Sequence, residues 1–169
     1  TIAIWLNDFS NPFFLQKRIG INGSEFRILK FRTMIVNNSG PLISSSNDSR
    51  ITKVGKFLRK YKLDELPQLI NVMMGQMSII GPRPEVRSYV DLYSEKQRKV
   101  LSVKPGITDY ASIIYRNEND ILSTVGDKKL YYINIIMPRK LRLNMVWVNN
   151  YNLSTYFDCI FRTIIHIVR

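Results

Sequence analysis

The stretch from Arg59 to Glu85, RKYKLDELPQLINVMMGQMSIIGPRPE, constrains this chain more than any other, because it joins a helix start, a helix stop and a stiff turn to two adjacent acids. Leu66, Leu69, Ile70 and Met73 recur at helical spacing, Pro67 falls in the first turn and Gly75 can close the helix, so Asp64 stands where an N-cap belongs. Free amides and the helix dipole stabilise negative charge there by roughly 0.3–1 kcal/mol each, which predicts an ionised Asp64 beside a natural phosphate site. An ionised carboxylate can attack phosphorus while its neighbour, Glu65, holds a divalent cation. The same pair also fits a plain helix cap followed by a first-turn acid.

The flanks favour phosphate chemistry. Proline on both sides of Arg83 restricts its backbone to extended conformations and so fixes where the guanidinium points, and a planar guanidinium can grip two phosphate oxygens at once. Arg59 lies just before the acids, on a predicted helix capped by Thr52 with Val54, Phe57, Leu58 and Tyr61 on one face; the nearby lysines, Lys62 included, read as a solvated or lipid-facing surface. Upstream, FFLQKRIG and EFRILKFRTM flank INGS, whose Asn22-Gly23 pair signals a β-hairpin. In its second run Phe26, Ile28 and, after a shift, Phe31 alternate with Arg27, Lys30 and Arg32, predicting an apolar face and a cationic one. Residues 36–49 read as a Ser/Asn-rich loop and Glu85–Val103 as one helix. From Asp127 the pattern gives helices broken at Pro138, with Trp147 and Tyr151 as interfacial anchors.

A chain of 169 residues is one domain with room for a real core. Its single Cys159 and single His166 exclude an intramolecular disulfide and metal sites built from several cysteines or histidines, and they leave a serine-histidine-aspartate mechanism little support; both residues read as structural, in a cytoplasmic setting. With 25 Lys+Arg against 13 Asp+Glu, a formal charge of +12, the surface attracts polyanions. Nothing specifies a nucleic-acid-binding fold, so a membrane face or a phosphorylated substrate is the expected partner. The apolar segment from Tyr156 to Arg169 is too short to span a bilayer and suits an interface or a core. The catalysis-free alternative is a basic module that binds membrane or nucleic acid.

Four ordered motifs carry a family resemblance: NPFFLQKRIGINGSEFRILKFRTM from Asn11, DSRITKVGKFLR from Asp48, the Leu58–Pro84 block, and KPGIT from Lys104. Together they resemble the bacterial sugar transferases, monotopic phosphoglycosyl transferases that move a phosphosugar from a nucleotide sugar to a polyprenol phosphate. The resemblance implies an α+β, mainly helical single domain with a small N-terminal hairpin, membrane-associated at the cytoplasmic face of the bacterial inner membrane. The family's re-entrant membrane helix would lie largely upstream of Thr1, so residues 1–12 read as its remnant and 13–169 as the catalytic domain.

The implied reaction has Asp64 as nucleophile on a UDP-sugar, a covalent phosphosugar intermediate, and undecaprenyl or another polyprenol phosphate as acceptor. Glu65 is then the ligand of Mg²⁺, while Lys30, Arg32, Arg59, Arg83 and Arg116 bind phosphate or nucleotide. After Thr108 the chain departs from the family's PGITGWAQVNGRN: Asp109, Tyr110, Ser112 and Ile114-Tyr115 replace the usual residues, and Arg116 and Asn117 remain. Asp109, Glu118 and Asp120 read here as turn-forming or surface carboxylates.

Overall fold

In a computed structural model, residues 1–36 and 48–168 are described; most of the loop expected over 36–49 lies outside them. Asn22 (φ 54°) and Gly23 (φ 77°) adopt left-handed backbone and turn β1 (Phe13–Ile19) into β2 (Glu25–Phe31), an antiparallel hairpin registered from Phe13 opposite Phe31 to Ile19 opposite Glu25. Phe26 and Ile28 face inward against Met77. The expected shift in β2 does not occur: strict alternation continues to Lys30, which follows Phe26 and Ile28 on the inner side and points its ammonium into the molecule.

Before the hairpin lies α1 (Ile2–Asp8), of which Ile4 is buried while Ile2, Trp5 and Leu6 are exposed. After it comes α2 (Lys53–Lys60), capped as expected by Thr52, whose Oγ1 accepts from Gly55 N at 2.9 Å. A Cβ at Gly55 would collide with the Thr33 carbonyl, so glycine lets α2 press directly on the end of the hairpin. The acids follow in a short 3₁₀ turn, Leu63–Glu65, and α3 spans Gln68–Met73. Gly75 (φ 74°) closes α3, its N–H donating to Val72 O while Gln76 N donates to Asn71 O.

The inward face of α3 is its polar one. Gln68 and Asn71 are buried, whereas Leu66, Leu69, Ile70 and Met73 are 45–85% exposed. Periodicity correctly gives an amphipathic helix but does not say which face meets protein.

Two segments distant in sequence then pair: β3 (Ser78–Ile80) lies parallel to β4 (Gly106–Thr108). Any side chain on Gly106 would strike the Gly81 backbone, which explains why the GPRP and KPGIT motifs each carry a glycine. The single helix expected from Glu85 to Val103 is instead α4 (Arg87–Val90), α5 (Glu95–Arg98) and a 3₁₀ turn, because Ser94 and Gln97 form a capping box that starts a new helix.

Beyond β4 come α6 (Tyr110–Ile114), α7 (Glu118–Ser123), α8 (Lys128–Tyr131), α9 (Met137–Asn149) and α10 (Leu153–Val168). No break occurs at Pro138: a π-helical turn over Tyr132–Ile136 carries α8 into α9, and the ring sits in the first turn, where its missing N–H is tolerated. The main core gathers Ile19, Tyr89, Val90, Val100, Leu122, Ile136 and Leu141; Ile80, Trp147 and Cys159 form a smaller cluster under α10. Trp147 is therefore core rather than anchor, while Tyr151 stays exposed. No described helix is long and apolar enough to cross a membrane.

Candidate active site

Glu65 is held on three sides. Its Oε2 accepts from Arg83 Nη1 at 3.0 Å, and its Oε1 accepts from Arg83 Nη2 and from Lys30 Nζ at 3.2 Å. Burial alone would raise this carboxyl, but Arg83 and then Lys30 outweigh it and hold Glu65 well below the usual range. Burial also lowers Lys30, to about 8, against the attraction of Glu65. Any activity that depends on the braced Glu65 should accordingly fall on the alkaline side with a midpoint near pH 8, as Lys30 loses its charge. A pH–rate profile of Lys30→Met lacking that limb, beside a wild type that shows it, is the expected result.

Asp64 is 9% exposed, and its Oδ1 is buried without a hydrogen-bond partner. It does not cap α3: the 3₁₀ turn intervenes, and no side chain caps that helix. Burial and then the charge of Glu65 raise its carboxyl, with Lys30, Arg59 and Lys62 pulling the other way, so the ionised Asp64 expected from a helix N-terminus is opposed by its surroundings. By sequence Lys62 belongs to a solvated or lipid-facing surface. Its left-handed backbone (φ 55°) instead turns α2 into the acidic pair, and neither composition nor periodicity signals such a φ.

Of the other expected site residues, Arg59 comes in from α2, its Nε donating to Thr33 Oγ1 at 2.8 Å and its charge acting on Asp64. Arg83 arrives on the GPRP turn. That turn is braced from behind by Arg18, which donates to Pro84 O at 3.2 Å and pairs with Glu85, itself the acceptor for the Tyr132 hydroxyl. Arg32 points elsewhere, donating to Ser10 O. Arg116 lines a groove of about 700 Å³ between α6 and α10, shared with Tyr110, Arg162 and His166.

Asp109, expected as a turn or surface acid, caps α6 through Ser112 N but is 1% exposed, and its Oδ2 accepts the Arg83 backbone N–H at 3.1 Å. Neither the cap nor the bond to Arg83 is signalled in the sequence, where Asp109 reads as a turn-forming or surface carboxylate. Glu118 pairs with Lys140 at 2.9 Å.

Among the described residues no three His, Cys, Asp or Glu gather as a metal cage. Mg²⁺ rarely needs one, since it takes one or two carboxylates together with substrate phosphates. Of the roughly four lone-pair directions on the Glu65 carboxylate, the cations use three, leaving one on Oε2. Glu65 therefore keeps room for a cation delivered with a diphosphate. The site as a whole offers an unengaged carboxylate among cations, an arrangement suited to receiving a phosphoryl group.

Comparison with known proteins points the same way. The family model described as "Bacterial sugar transferase" matches residues 1–169. An uncharacterized sugar transferase, EpsL, of Bacillus subtilis is 44% identical over 118 residues, 69% of this chain and 58% of that protein. A UDP-N-acetylgalactosamine-undecaprenyl-phosphate N-acetylgalactosaminephosphotransferase of Aeromonas hydrophila is 40% identical over 71% of this chain and 30% of its own length. A UDP-glucose:undecaprenyl-phosphate glucose-1-phosphate transferase of Klebsiella pneumoniae is 43% identical over 70% and 27% respectively. The matched part thus spans less than two thirds of each of these relatives.

Proposed function

This chain belongs to the bacterial sugar transferase family, and we propose on that footing that it moves a sugar-1-phosphate from a UDP-sugar to a polyprenol phosphate such as undecaprenyl phosphate. The observation that carries the reading is Asp64: buried, with one oxygen unengaged, beside a Glu65 that Arg83 and Lys30 already neutralise. Asp64 attacks the β-phosphorus of the donor and uridine monophosphate leaves; the lipid phosphate then takes the phosphosugar, regenerating the carboxylate. Lys30, Arg59 and Lys62 face the charge that develops. Handling two multiply charged substrates in sequence avoids packing them together against their repulsion. Mg²⁺, held by Glu65 with Asp64 alongside, would neutralise donor phosphate oxygens.

The test is a screen of UDP-sugars with polyprenol phosphate and Mg²⁺. Release of uridine monophosphate with at least one donor, together with a lipid-linked phosphosugar, is expected. No release across the common UDP-sugars would sink the assignment.

The proposed lipid acceptor calls for a membrane setting, placed here at the cytoplasmic face, and the outward face of α3 supports membrane contact. Leu66, Leu69, Ile70 and Met73 stand exposed directly after the catalytic acids, and Phe57 and Tyr61 on α2 are exposed among Lys53, Lys56 and Lys60. Apolar side chains ringed by cations suit an anionic headgroup region. Replacing Leu69 and Ile70 by serine should weaken binding to anionic phospholipid vesicles about tenfold or more, since each buried aliphatic side chain contributes on the order of 1.5–3 kcal/mol. The melting temperature should hold, because both side chains already face solvent. Unchanged vesicle binding would count against this face.

A further inference from the structure

The inner side of the acidic turn and α3 carries a polar row: Asp64, Gln68 and Asn71. Asn71 is fully employed, its Oδ1 accepting from Leu29 N at 3.0 Å and its Nδ2 donating to Arg27 O and Gln76 Oε1 at 2.8 Å each, which stitches α3 to β2. Gln68, almost a turn earlier and 1% exposed, has a partner for neither Oε1 nor Nε2. Four residues before it, Asp64 Oδ1 is also buried and unpartnered. A buried amide unmatched at both ends destabilises a fold, and a leucine or methionine would fill the space without that penalty. An unmatched donor and an unmatched acceptor thus stand one turn apart on the buried side of the same helical run.

We propose that Gln68 is the positioning residue of Asp64: in the reacting state its Nε2–H donates to Asp64 Oδ1, leaving Oδ2 as the attacking oxygen. This rests on the reading of Asp64 as nucleophile. In the first step a lone pair on Oδ2 forms a bond to the β-phosphorus, and the bond from that phosphorus to the bridging oxygen breaks, its electron pair leaving with uridine monophosphate. Oδ1 becomes the carbonyl oxygen of an acyl-phosphate. In the second step an oxygen of the lipid phosphate attacks the same phosphorus, the P–Oδ2 bond breaks, and its electron pair returns to the carboxylate and spreads onto Oδ1. A donor fixed on Oδ1 keeps the carboxylate ionised and aimed before attack, and stabilises the charge that returns to it afterward.

Gln68→Met in the whole protein tests this. The expected result is a kcat lower by about 10- to 100-fold, the range in which loss of an outer hydrogen-bond partner that orients a functional side chain is felt, with KM for the donor little changed. The acid limb of the pH–rate profile should move to higher pH, the phosphosugar adduct on Asp64 should persist longer after lipid phosphate is added, and Tm should be unchanged or raised. Normal kcat with an unmoved acid limb overturns the proposal. So does loss of the fold in both Gln68→Met and Gln68→Leu, which would assign Gln68 to stability alone. The Asp64 reading fails separately: if Asp64→Asn turns over, the nucleophile lies elsewhere, whereas an inactive Asp64→Asn beside a normal Gln68→Met rejects only the role of Gln68.

Discussion

Asp64→Asn should abolish uridine monophosphate release and at the same time leave the protein as stable as the wild type or more so. The loss expected is on the order of 10⁴-fold or more, since removing a nucleophile eliminates the covalent route altogether. The stability effect follows from the direction of the Asp64 shift. Burial and Glu65 raise its carboxyl above the usual 3.8, so between the unfolded and folded values the native state binds more protons and stability falls as pH rises. Above that window the ionised side chain opposes folding. Asparagine keeps the shape without the charge, and each kcal/mol relieved would raise Tm by about 2–4 °C in a chain of this size. The advantage should fade as pH falls through the folded value of Asp64 and vanish below about 3.9, where the wild type is protonated in both states. Thermal melts at neutral and acid pH check this; a variant markedly less stable than wild type at neutral pH would show that Asp64 is structural.

Arg83→Met should have the opposite profile, losing stability as well as activity. It removes the two-pronged partner of a Glu65 that is 8% exposed and leaves that carboxylate facing Lys30 alone. Breaking a buried pair by deleting one member costs about 3–5 kcal/mol, whereas replacing both members by apolar groups is often close to neutral. The double variant Glu65→Met with Arg83→Met should therefore recover part of the melting temperature, short of wild type because Lys30 loses its carboxylate partner, while remaining inactive. Arg83→Lys should not rescue activity, because an ammonium cannot span both carboxylate oxygens from a backbone fixed between two prolines. Denaturant unfolding of the two single variants and the double variant gives the coupling energy; a value near zero would remove the ion pair from the account.

These two outcomes depend on groupings that the sequence disclosed unevenly. The hairpin turn at Asn22-Gly23, the Thr52 cap and the closing Gly75 were legible because each is a local rule obeyed by two or three residues. The convergence of Lys30, Arg59 and Arg83 on the acids was reachable only through motif resemblance, since these residues lie up to 53 positions apart in the chain. What stayed hidden was non-local or directional. The pairing of β3 with β4 joins short segments that have no periodicity of their own. The spacing of Leu66, Leu69, Ile70 and Met73 defines a face but not what that face meets, and here it turns outward. Asp109 reads in sequence as a turn or surface acid, and its bond to the Arg83 amide crosses 26 residues.

A phosphosugar carried on Asp64 is detectable by intact-mass measurement of the protein incubated with its UDP-sugar and Mg²⁺ in the absence of polyprenol phosphate. The expected result is a mass gain equal to one sugar-1-phosphate less water, mapped by peptide analysis to Asp64, absent in Asp64→Asn and discharged when lipid phosphate is added. Steady release of uridine monophosphate with lipid acceptor, no trapped adduct under any quench, and turnover retained in Asp64→Asn would contradict it.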